Sequence, residues 1–230
     1  MLKKNYIAAL LISFLMVAKA HAEKYFGYES ISPLVIEKPY KPNSKEHKDQ
    51  INQIVTLQKN IGIDDLKEID LALSEKQLRP ETVVQHVLKN VKRDKFPKTY
   101  KLLDRVGETS RDINDGIKEY WKYPRPYKHS SEVQALISPS SGYCYPSGHT
   151  TGGYIYAHVM SLLIPSKSEE FYDYANQIAW HRVLVGMHYP QDIAGGKQLA
   201  IFLVGGLLQN NDFLADFNDA REELKKNGLI

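Results

Sequence analysis

Hydrophobic residues recur at intervals of three and four along most of this chain, which is the spacing of an amphipathic helix. The segments with this spacing are residues 43–59, 64–76, 80–91, 97–120, 151–162, 171–182, the stretch after 190 and residues 211–226. Residues 97–120 fit either one long helix or two in sequence. Because no segment alternates apolar and polar residues as a strand does, the pattern predicts an all-α protein with a single compact multi-helix domain.

Two stretches lack the helical spacing, and a third is apolar enough to raise the question of a membrane span. Residues 23–43 are rich in Tyr, Pro and Lys, lack periodicity and are predicted to form an extended N-terminal segment over the surface. Residues 123–145 contain Pro, Ser and Gly and predict a long loop, which compact domains usually reserve for function. The apolar run at 199–208 has only ten residues, so we assign it to the core rather than to a membrane.

The first 22 residues follow the pattern of a secretory signal peptide. Two lysines precede an eleven-residue apolar run, and small residues end at Ala20 and Ala22. The run is shorter than the roughly 20 residues of a spanning helix, which favours cleavage after Ala22, or after Ala20, over an uncleaved anchor. We therefore expect a periplasmic or secreted protein without a membrane span after signal removal. The chain then divides into a signal peptide over 1–22, an N-terminal segment over 23–43 and a helical domain over 44–230.

Composition narrows the classes of protein that fit. Of the 230 residues, 43% are hydrophobic and 25% are charged, which is sufficient for a buried core. The single cysteine, Cys144, excludes an internal disulfide, a Cys-rich zinc site and a CxxC redox pair. Removing residues 1–22 deletes three of the 30 basic residues and none of the 27 acidic ones, so the formal charge falls to zero. We therefore expect no nucleic-acid partner, because its electrostatic support is lost.

Three short stretches gather the groups that an enzyme acting on a phosphate ester needs. They are KEYWKYPRP at 118–126, YPSGHTTGG at 145–153 and HRVLVGMHYPQD at 181–192. A phosphate monoester presents two or three anionic oxygens, and Lys118, Arg125 and Arg182 are the candidate cations for them. The turn before Gly148 leads into a helix, whose free backbone N–H groups and positive dipole end favour an anion. We expect a phosphoryl group to bind there.

Two histidines can share the nucleophile and acid roles that ester cleavage requires. His188 and Asp192 are four residues apart, so a helix starting near Pro190 lets the carboxylate reach one ring nitrogen. The other nitrogen is then a lone-pair nucleophile. His149, beside the anion-binding turn, is the candidate acid. An in-line displacement would place the two rings on opposite sides of phosphorus, and His149 would activate water to hydrolyse the phosphohistidine.

The three stretches resemble the K-x6-RP, PSGH and SR-x5-H-x3-D motifs of the type 2 phosphatidic acid phosphatase (PAP2) superfamily. With a signal peptide and no membrane spans, the chain is most similar to the bacterial class A nonspecific acid phosphatases. This resemblance implies a haloperoxidase-like helical fold, no metal or cofactor, phosphate monoester substrates and a tendency to form homo-oligomers. It implies that the nucleophile, the acid and the orienting carboxylate are His188, His149 and Asp192. It also implies that the phosphate-binding residues are Lys118, Arg125, Ser147, Gly148 and Arg182.

Two positions depart from the family pattern. His181 stands where the third motif has Ser, and Cys144 stands where the class A signature has Ser. Neither change replaces a group that performs the chemistry above, but both leave the subfamily, substrate range and pH optimum open. His181 is predicted either to line the pocket or to face water, whereas Cys144 and His158 are interpreted as buried residues.

Four alternative functions fit parts of the pattern. A lipid or pyrophosphate phosphatase of the same superfamily would use the same site, although lipid phosphatases normally have several spanning helices. A vanadium-dependent haloperoxidase shares the constellation with vanadate in place of phosphate, but such chains are typically much longer. A metal site of His149, His188 and Asp192 would be opposed by three cations. A non-enzymatic anion-binding protein would not need both histidines and an orienting aspartate.

Overall fold

A computed structural model describes residues 22–230, which form nine α-helices and no strand. The helices are α1 Lys45–Lys59, α2 Ile63–Ser74, α3 Pro80–Val87, α4 Pro97–Trp121, α5 Pro126–His129, α6 Gly148–Leu163, α7 Ser168–Leu184, α8 Pro190–Leu207 and α9 Asn211–Lys226. Apart from Ala22, the predicted signal peptide lies outside the described residues. None of the helices formed by residues 22–230 is long and apolar enough to cross a membrane. The all-α prediction is confirmed.

Each segment predicted as helical overlaps one of these helices. Residues 97–120 form one helix, α4, rather than two, and α3 ends at Val87 before the last apolar residues of its predicted segment. The loop over 123–145 contains the short helix α5. The N-terminal segment has two single-turn 3-10 helices, Tyr28–Ser30 and Pro33–Val35, which pack against α4.

Helix α4 is the longest, at 25 residues, and its sequence explains both of its ends. Pro97 occupies the first helical position, where the missing N–H costs nothing. Leu103, Val106 and Ile113 are fully buried on one face, and both α6 and α9 pack against the helix. The helix ends at Lys122, which has a left-handed backbone with φ of 47°. This length carries Lys118, in the last turn, to the site described below.

Helix α6 is the centre of the fold and contacts α3, α4, α7, α8 and α9. Most of its residues are buried, as expected of a helix that is apolar on nearly every side. Helix α8 approaches its first turn closely because residue 196 is glycine. A Cβ atom on Gly196 would lie 2.9 Å from Thr150 Cβ and 3.0 Å from the Ser147 carbonyl oxygen, which is too close for either. This approach brings the start of α8 to the PSGH turn.

Helix α2 does not bury the face that its sequence favours. The helical spacing of residues 64–76 predicts one apolar face of Leu66, Ile69 and Leu73, but Leu66 and Leu73 are exposed, whereas the small Ala72 is fully buried. The helix packs against α7 with Ala72 and with polar groups near its C-terminal end. The predicted face was therefore wrong, since α2 meets α7 through the Ala72 carbonyl and Glu75, both of which contact Arg182.

Candidate active site

The first motif places two cations, one on α4 and one just before α5. Lys118 lies near the start of α6, since a Cβ atom on Gly148 would be 3.5 Å from its Nζ. Burial, and then repulsion by Arg125, lower the pKa of Lys118. Arg125 is itself buried and donates from Nε to the Gly142 carbonyl at 3.0 Å and from Nη1 to the Met187 carbonyl at 3.1 Å. The surrounding loop backbone therefore fixes its guanidinium.

The second motif forms the N-terminus of α6. Ser147 is the N-cap residue, and its Oγ accepts from the Thr150 N–H at 3.3 Å. The Ser147 N–H donates to the Asp192 carbonyl oxygen at 3.0 Å, which ties this turn to α8. The N–H groups of Gly148 and His149 lie in the first turn and have no acceptor within the helix. With the positive end of the helix dipole, they form a site suited to an anion.

The third motif spans the sharp turn between α7 and α8. Gly186 has φ of 72°, a left-handed conformation that favours glycine and reverses the chain after α7. The N–H groups of Met187 and His188 then donate to the Arg182 carbonyl at 3.0 and 3.1 Å. Pro190 begins α8 directly afterwards. The turn therefore holds His188 against the last turn of α7.

His188 is buried between a carboxylate and a guanidinium. Its Nδ1 lies 3.0 Å from Asp192 Oδ2, and its Nε2 lies 3.3 Å from Arg125 Nη1. A guanidinium only donates, so this arrangement favours the tautomer with the proton on Nδ1 and the lone pair on Nε2. Burial, and then repulsion by Arg125, lower the pKa of His188 well below its usual range. The ring is therefore neutral, with Nε2 in the form of a nucleophile.

Asp192 is oriented by its place in the first turn of α8. Its Oδ2 also accepts from the Tyr189 N–H at 3.0 Å, so one oxygen serves both the helix N-terminus and His188. Complete burial raises the pKa of Asp192 to about 7, against the opposing effect of the Tyr189 N–H. Its Oδ1 has no hydrogen-bond partner. The thiol of Cys144, which is buried as predicted, contacts the Tyr123 carbonyl at 3.4 Å and the Pro124 carbonyl at 3.2 Å.

His149 lies near the same cations as His188, since Arg182 and Lys118 repel the protonated form of both rings. Its Nε2 lies 3.0 Å from the backbone oxygen of Glu75, and because a carbonyl only accepts, Nε2 carries a proton and Nδ1 remains for other contacts. Burial, and then repulsion by Arg182, lower the pKa of His149 to about 3. Repulsion from His149 in turn contributes to the lowered pKa of His188. The two rings are therefore close enough to influence each other.

Residues 109–213 match the PAP2 superfamily, and this span includes all three motifs. The chain contains a PAP2 superfamily domain. An acid phosphatase from Zymomonas mobilis subsp. mobilis is 27% identical over 135 residues, which cover 57% of this chain and 51% of that protein. A non-specific acid phosphatase from Providencia stuartii is 26% identical over 137 residues, covering 56% and 54%. The chain thus spans about half the length of these relatives. The family predicted from the three motifs is confirmed.

The fold of this PAP2 protein is also similar to that of a solved structure, described as the first bacterial vanadium-dependent iodoperoxidase. The two superpose with a TM-score of 0.56 at 15% sequence identity, over 74% of this chain and 51% of that one. At this identity the likeness concerns the fold alone. It confirms the predicted haloperoxidase-like architecture.

A cavity of about 960 Å³ opens beside the PAP2 motifs. Lys118, Gly148 and His149 form part of its wall, and Lys76 and Arg79, from the loop after α2, form another part. Within residues 22–230, no group of three or more His, Cys, Asp or Glu side chains is arranged to hold a metal ion. The cavity therefore opens beside His149 and beside Lys118, one of the three predicted cations.

The PAP2 site brings together every residue that the motifs predicted. These residues are Lys118, Arg125, Ser147, Gly148, His149, Arg182, His188 and Asp192. His158 is separate from the site and only half-buried, with Nδ1 2.6 Å from the Tyr172 hydroxyl. His181 neither lines the pocket nor faces water, because it is fully buried beside Glu75.

Two residues near the PAP2 motifs were not predicted. Asn114, on α4, donates from Nδ2 to Thr151 Oγ1 at 3.1 Å, and its buried Oδ1 has no partner. Glu75, just after α2, contacts Arg182 and His181. Asn114 precedes Lys118 by four residues, a helical spacing that was a usable signal. The local sequence of Glu75 contains no such signal.

Proposed function

We propose that this protein is a phosphoric monoester hydrolase of the acid phosphatase type, which acts on small-molecule phosphate esters through a phosphohistidine. The observation that carries the proposal is the setting of His188, whose Nδ1 faces Asp192 and whose Nε2 faces the cation Arg125. A neutral imidazole directed at a cationic site is suited to attack phosphorus. The names of the relatives from Z. mobilis and P. stuartii support the same class of reaction.

The phosphate group is bound by charge and by backbone donors. Lys118, Arg125 and Arg182 neutralise its oxygens, while Ser147 and the N–H of Gly148 donate at the start of α6. Arg182 fits this role because its Nε is buried and has no partner in the protein. A buried donor of this kind costs stability unless a ligand accepts from it.

The reaction then proceeds in two displacements. His188 Nε2 attacks phosphorus, the P–N bond forms, and the ester P–O bond breaks as His149 gives a proton to the departing alkoxide. Asp192 accepts the hydrogen bond from Nδ1 and stabilises the positive charge that develops on His188. In the second step His149 takes a proton from water, the hydroxide attacks phosphorus and the P–N bond breaks, which releases inorganic phosphate.

The acid role requires a protonated His149, although its pKa is lowered to about 3. Part of that lowering comes from repulsion by Arg182 and Lys118. A phosphate dianion bound among these cations opposes the repulsion, so we expect substrate to raise the pKa of His149. Low pH favours the protonated form, and we propose an acidic optimum. The signal-peptide pattern supports a periplasmic or secreted location.

The test uses a chromogenic aryl phosphate with and without a chelator. We expect turnover that the chelator does not reduce, and an acid-labile, alkali-stable phosphoryl label on the quenched wild-type protein that is absent from His188→Ala. His158→Ala, which changes a histidine outside the site, is the matched control and should retain the label. Loss of turnover with the chelator, or a label that persists in His188→Ala, would refute the proposal.

A pair of esters tests the acid. An alkyl phosphate has a poor leaving group and needs the proton from His149, whereas an aryl phosphate needs it much less. His149→Asn should therefore reduce kcat for the alkyl ester on the order of 100-fold more than for the aryl ester. Equal losses for the two esters would remove His149 from the acid role. Bromide oxidation with added vanadate would indicate a haloperoxidase instead.

A further inference from the structure

A second layer of charged residues lies behind the proposed phosphate site. Glu75, immediately after α2, is fully buried, and its Oε2 accepts from Arg182 Nη2 at 3.1 Å. The same carboxylate lies 2.9 Å from Nδ1 of His181. The other nitrogen of His181 lies 2.6 Å from Glu68 Oε2. A continuous chain of contacts therefore runs from Glu68 through His181 and Glu75 to Arg182.

Glu75 also contacts the proposed acid, with a different part of the residue. Its backbone oxygen lies 3.0 Å from Nε2 of His149, while its carboxylate contacts Arg182. One residue thus meets two groups of the site that come from separate helices, α6 and α7. The side-chain contacts with Arg182 and His181 fix the position of the backbone oxygen as well.

His181 explains why this carboxylate can be buried here. Burial alone would lower the pKa of His181, but hydrogen bonds with Glu75 and Glu68 outweigh it and raise the pKa. Both ring nitrogens of His181 lie against carboxylates, and because an ionised carboxylate only accepts, this geometry favours a protonated ring that joins Arg182 as a second cation beside Glu75. Paired charges of this kind tolerate burial, whereas a single one does not. The histidine at the family's serine position is therefore a direct partner of Glu75.

We propose that Glu75 is a positioning residue that aims both Arg182 and His149 at the substrate, an inference that rests on the proposed function. Held at Nη2, the guanidinium of Arg182 presents its unpartnered Nε to an anion. Held at Nε2, the ring of His149 presents Nδ1 to the leaving group. Glu75 itself touches neither the substrate nor the reacting atoms.

The experiment neutralises Glu75 without changing its volume. In Glu75→Gln the side chain is no longer an anion, so Arg182 loses its charged partner and Nη2 keeps its bond to the Ala72 carbonyl at 2.9 Å. We expect the Kd of inorganic orthophosphate, measured by calorimetry, to rise at least about tenfold, with a similar rise in KM for an aryl phosphate. We expect kcat for the aryl ester to change by less than about threefold, since His188 and Asp192 are untouched. If Glu75 only stabilised the fold, its substitution would not raise KM while leaving kcat almost unchanged.

Asp216→Asn is the matched control. Asp216 is also a buried carboxylate bonded to an arginine, with Oδ2 2.6 Å from Arg105 Nη1, but it is remote from the PAP2 motifs. Its neutralisation should lower stability and leave the Kd of orthophosphate unchanged. A Glu75→Gln protein that folds and binds orthophosphate within twofold of wild type would overturn the inference, as would an equal loss in both variants.

Two further measurements keep the test decisive. If Glu75→Gln does not fold, Glu75→Asp is the second variant, because it keeps the negative charge but shortens the side chain by one methylene. If Glu75→Asp binds orthophosphate with the Kd of the wild-type protein, the inference is also overturned. Orthophosphate binding needs no turnover. A wild-type protein that binds orthophosphate but hydrolyses no ester would therefore refute the proposed function, while the calorimetry still decides the role of Glu75.

Discussion

Arg105 and Arg182 are both buried beside a carboxylate, but they differ in whether every buried hydrogen-bonding atom around them has a partner. Arg105 bonds Asp216 at 2.6 Å, donates from Nε to the Glu23 carbonyl at 3.0 Å and stacks on the Tyr25 ring at 4.1 Å. Asp216 in turn accepts from the Tyr25 hydroxyl and from Lys101. None of the buried side-chain atoms in this cluster lacks a partner in the part of the chain that the structure describes.

Arg182 and Glu75 form the contrasting cluster. Arg182 Nε has no partner although the residue is buried, and Oδ1 of Asp192 and Oδ1 of Asn114 are in the same condition. Each unsatisfied buried group costs about 1 to 3 kcal/mol. The buried hydrogen-bonding groups of the Arg105 cluster are therefore all paired, as is usual in a protein core. The cluster around Arg182 has buried donors and acceptors without partners. We therefore expect the Arg105 cluster to stabilise the fold and the cluster around Arg182 to bind a ligand.

The largest effect on activity should come from a change in the region whose buried polar atoms lack partners. His188→Ala removes the proposed nucleophile, so we expect kcat for an aryl phosphate to fall at least about 1000-fold. The thermal unfolding midpoint should move by only a few degrees, because few contacts are lost. Steady-state kinetics and calorimetry on one preparation measure both. Residual activity above one tenth of wild type would contradict the comparison.

The satisfied region should give the opposite result. Asp216→Ala leaves Arg105 buried without its anion, and we expect the free energy of unfolding to fall by about 3 kcal/mol. The kcat and KM of the folded fraction should equal those of wild type, since Asp216 has no contact with the PAP2 motifs. Urea denaturation and kinetics at a temperature well below unfolding check this. An altered KM would show that the two regions are coupled.

A smaller effect concerns acid stability. The pKa of His149 is about 3 in the folded protein, below its usual value of 6.5, so the unfolded chain binds this proton more readily. The contribution of His149 to stability is therefore present above pH about 6.5 and is lost as pH falls towards 3. His149→Asn, which cannot titrate, should lose less stability than wild type between pH 7 and pH 4. Denaturant titrations at the two pH values measure the difference, and equal losses would contradict it.

The smallest effect should follow a change at the family's serine position before PSGH. The Cys144 thiol already donates to the Pro124 carbonyl, and a serine hydroxyl can do the same. We expect Cys144→Ser to change the unfolding free energy by less than about 1 kcal/mol and kcat by less than twofold. A tenfold loss of kcat would place the thiol in the chemistry.

Local sequence predicted the helices well where one apolar face dominates. Helix α9 has its predicted bounds because Asn210 caps its start and its apolar residues keep one face. Helix α2 was misoriented because periodicity weighs Leu66 and Leu73 above the small Ala72, whereas the fold buries Ala72. Periodicity gives the faces of a helix but not the neighbour that will cover one of them.

The site divides in the same way. His149 and His188 were predicted because their neighbours in sequence form recognisable motifs, and the structure brings them together, while their roles stay predictions. Glu75 was missed because its contacts with His149 and Arg182 are separated by 74 and 107 positions in sequence. The only sequence feature connected with Glu75 was His181, which stands at the family's serine position. Its role could not be predicted because its partner is distant in sequence.

The hydrogen bond from the Ser147 N–H to the Asp192 carbonyl has one more consequence. It joins the peptide between Pro146 and Ser147, two residues before His149, to the turn of α8 that orients His188, so a main-chain hydrogen bond links the segments that carry the two imidazoles. This link contains no side chain, so the residues that line the cavity can vary without breaking it.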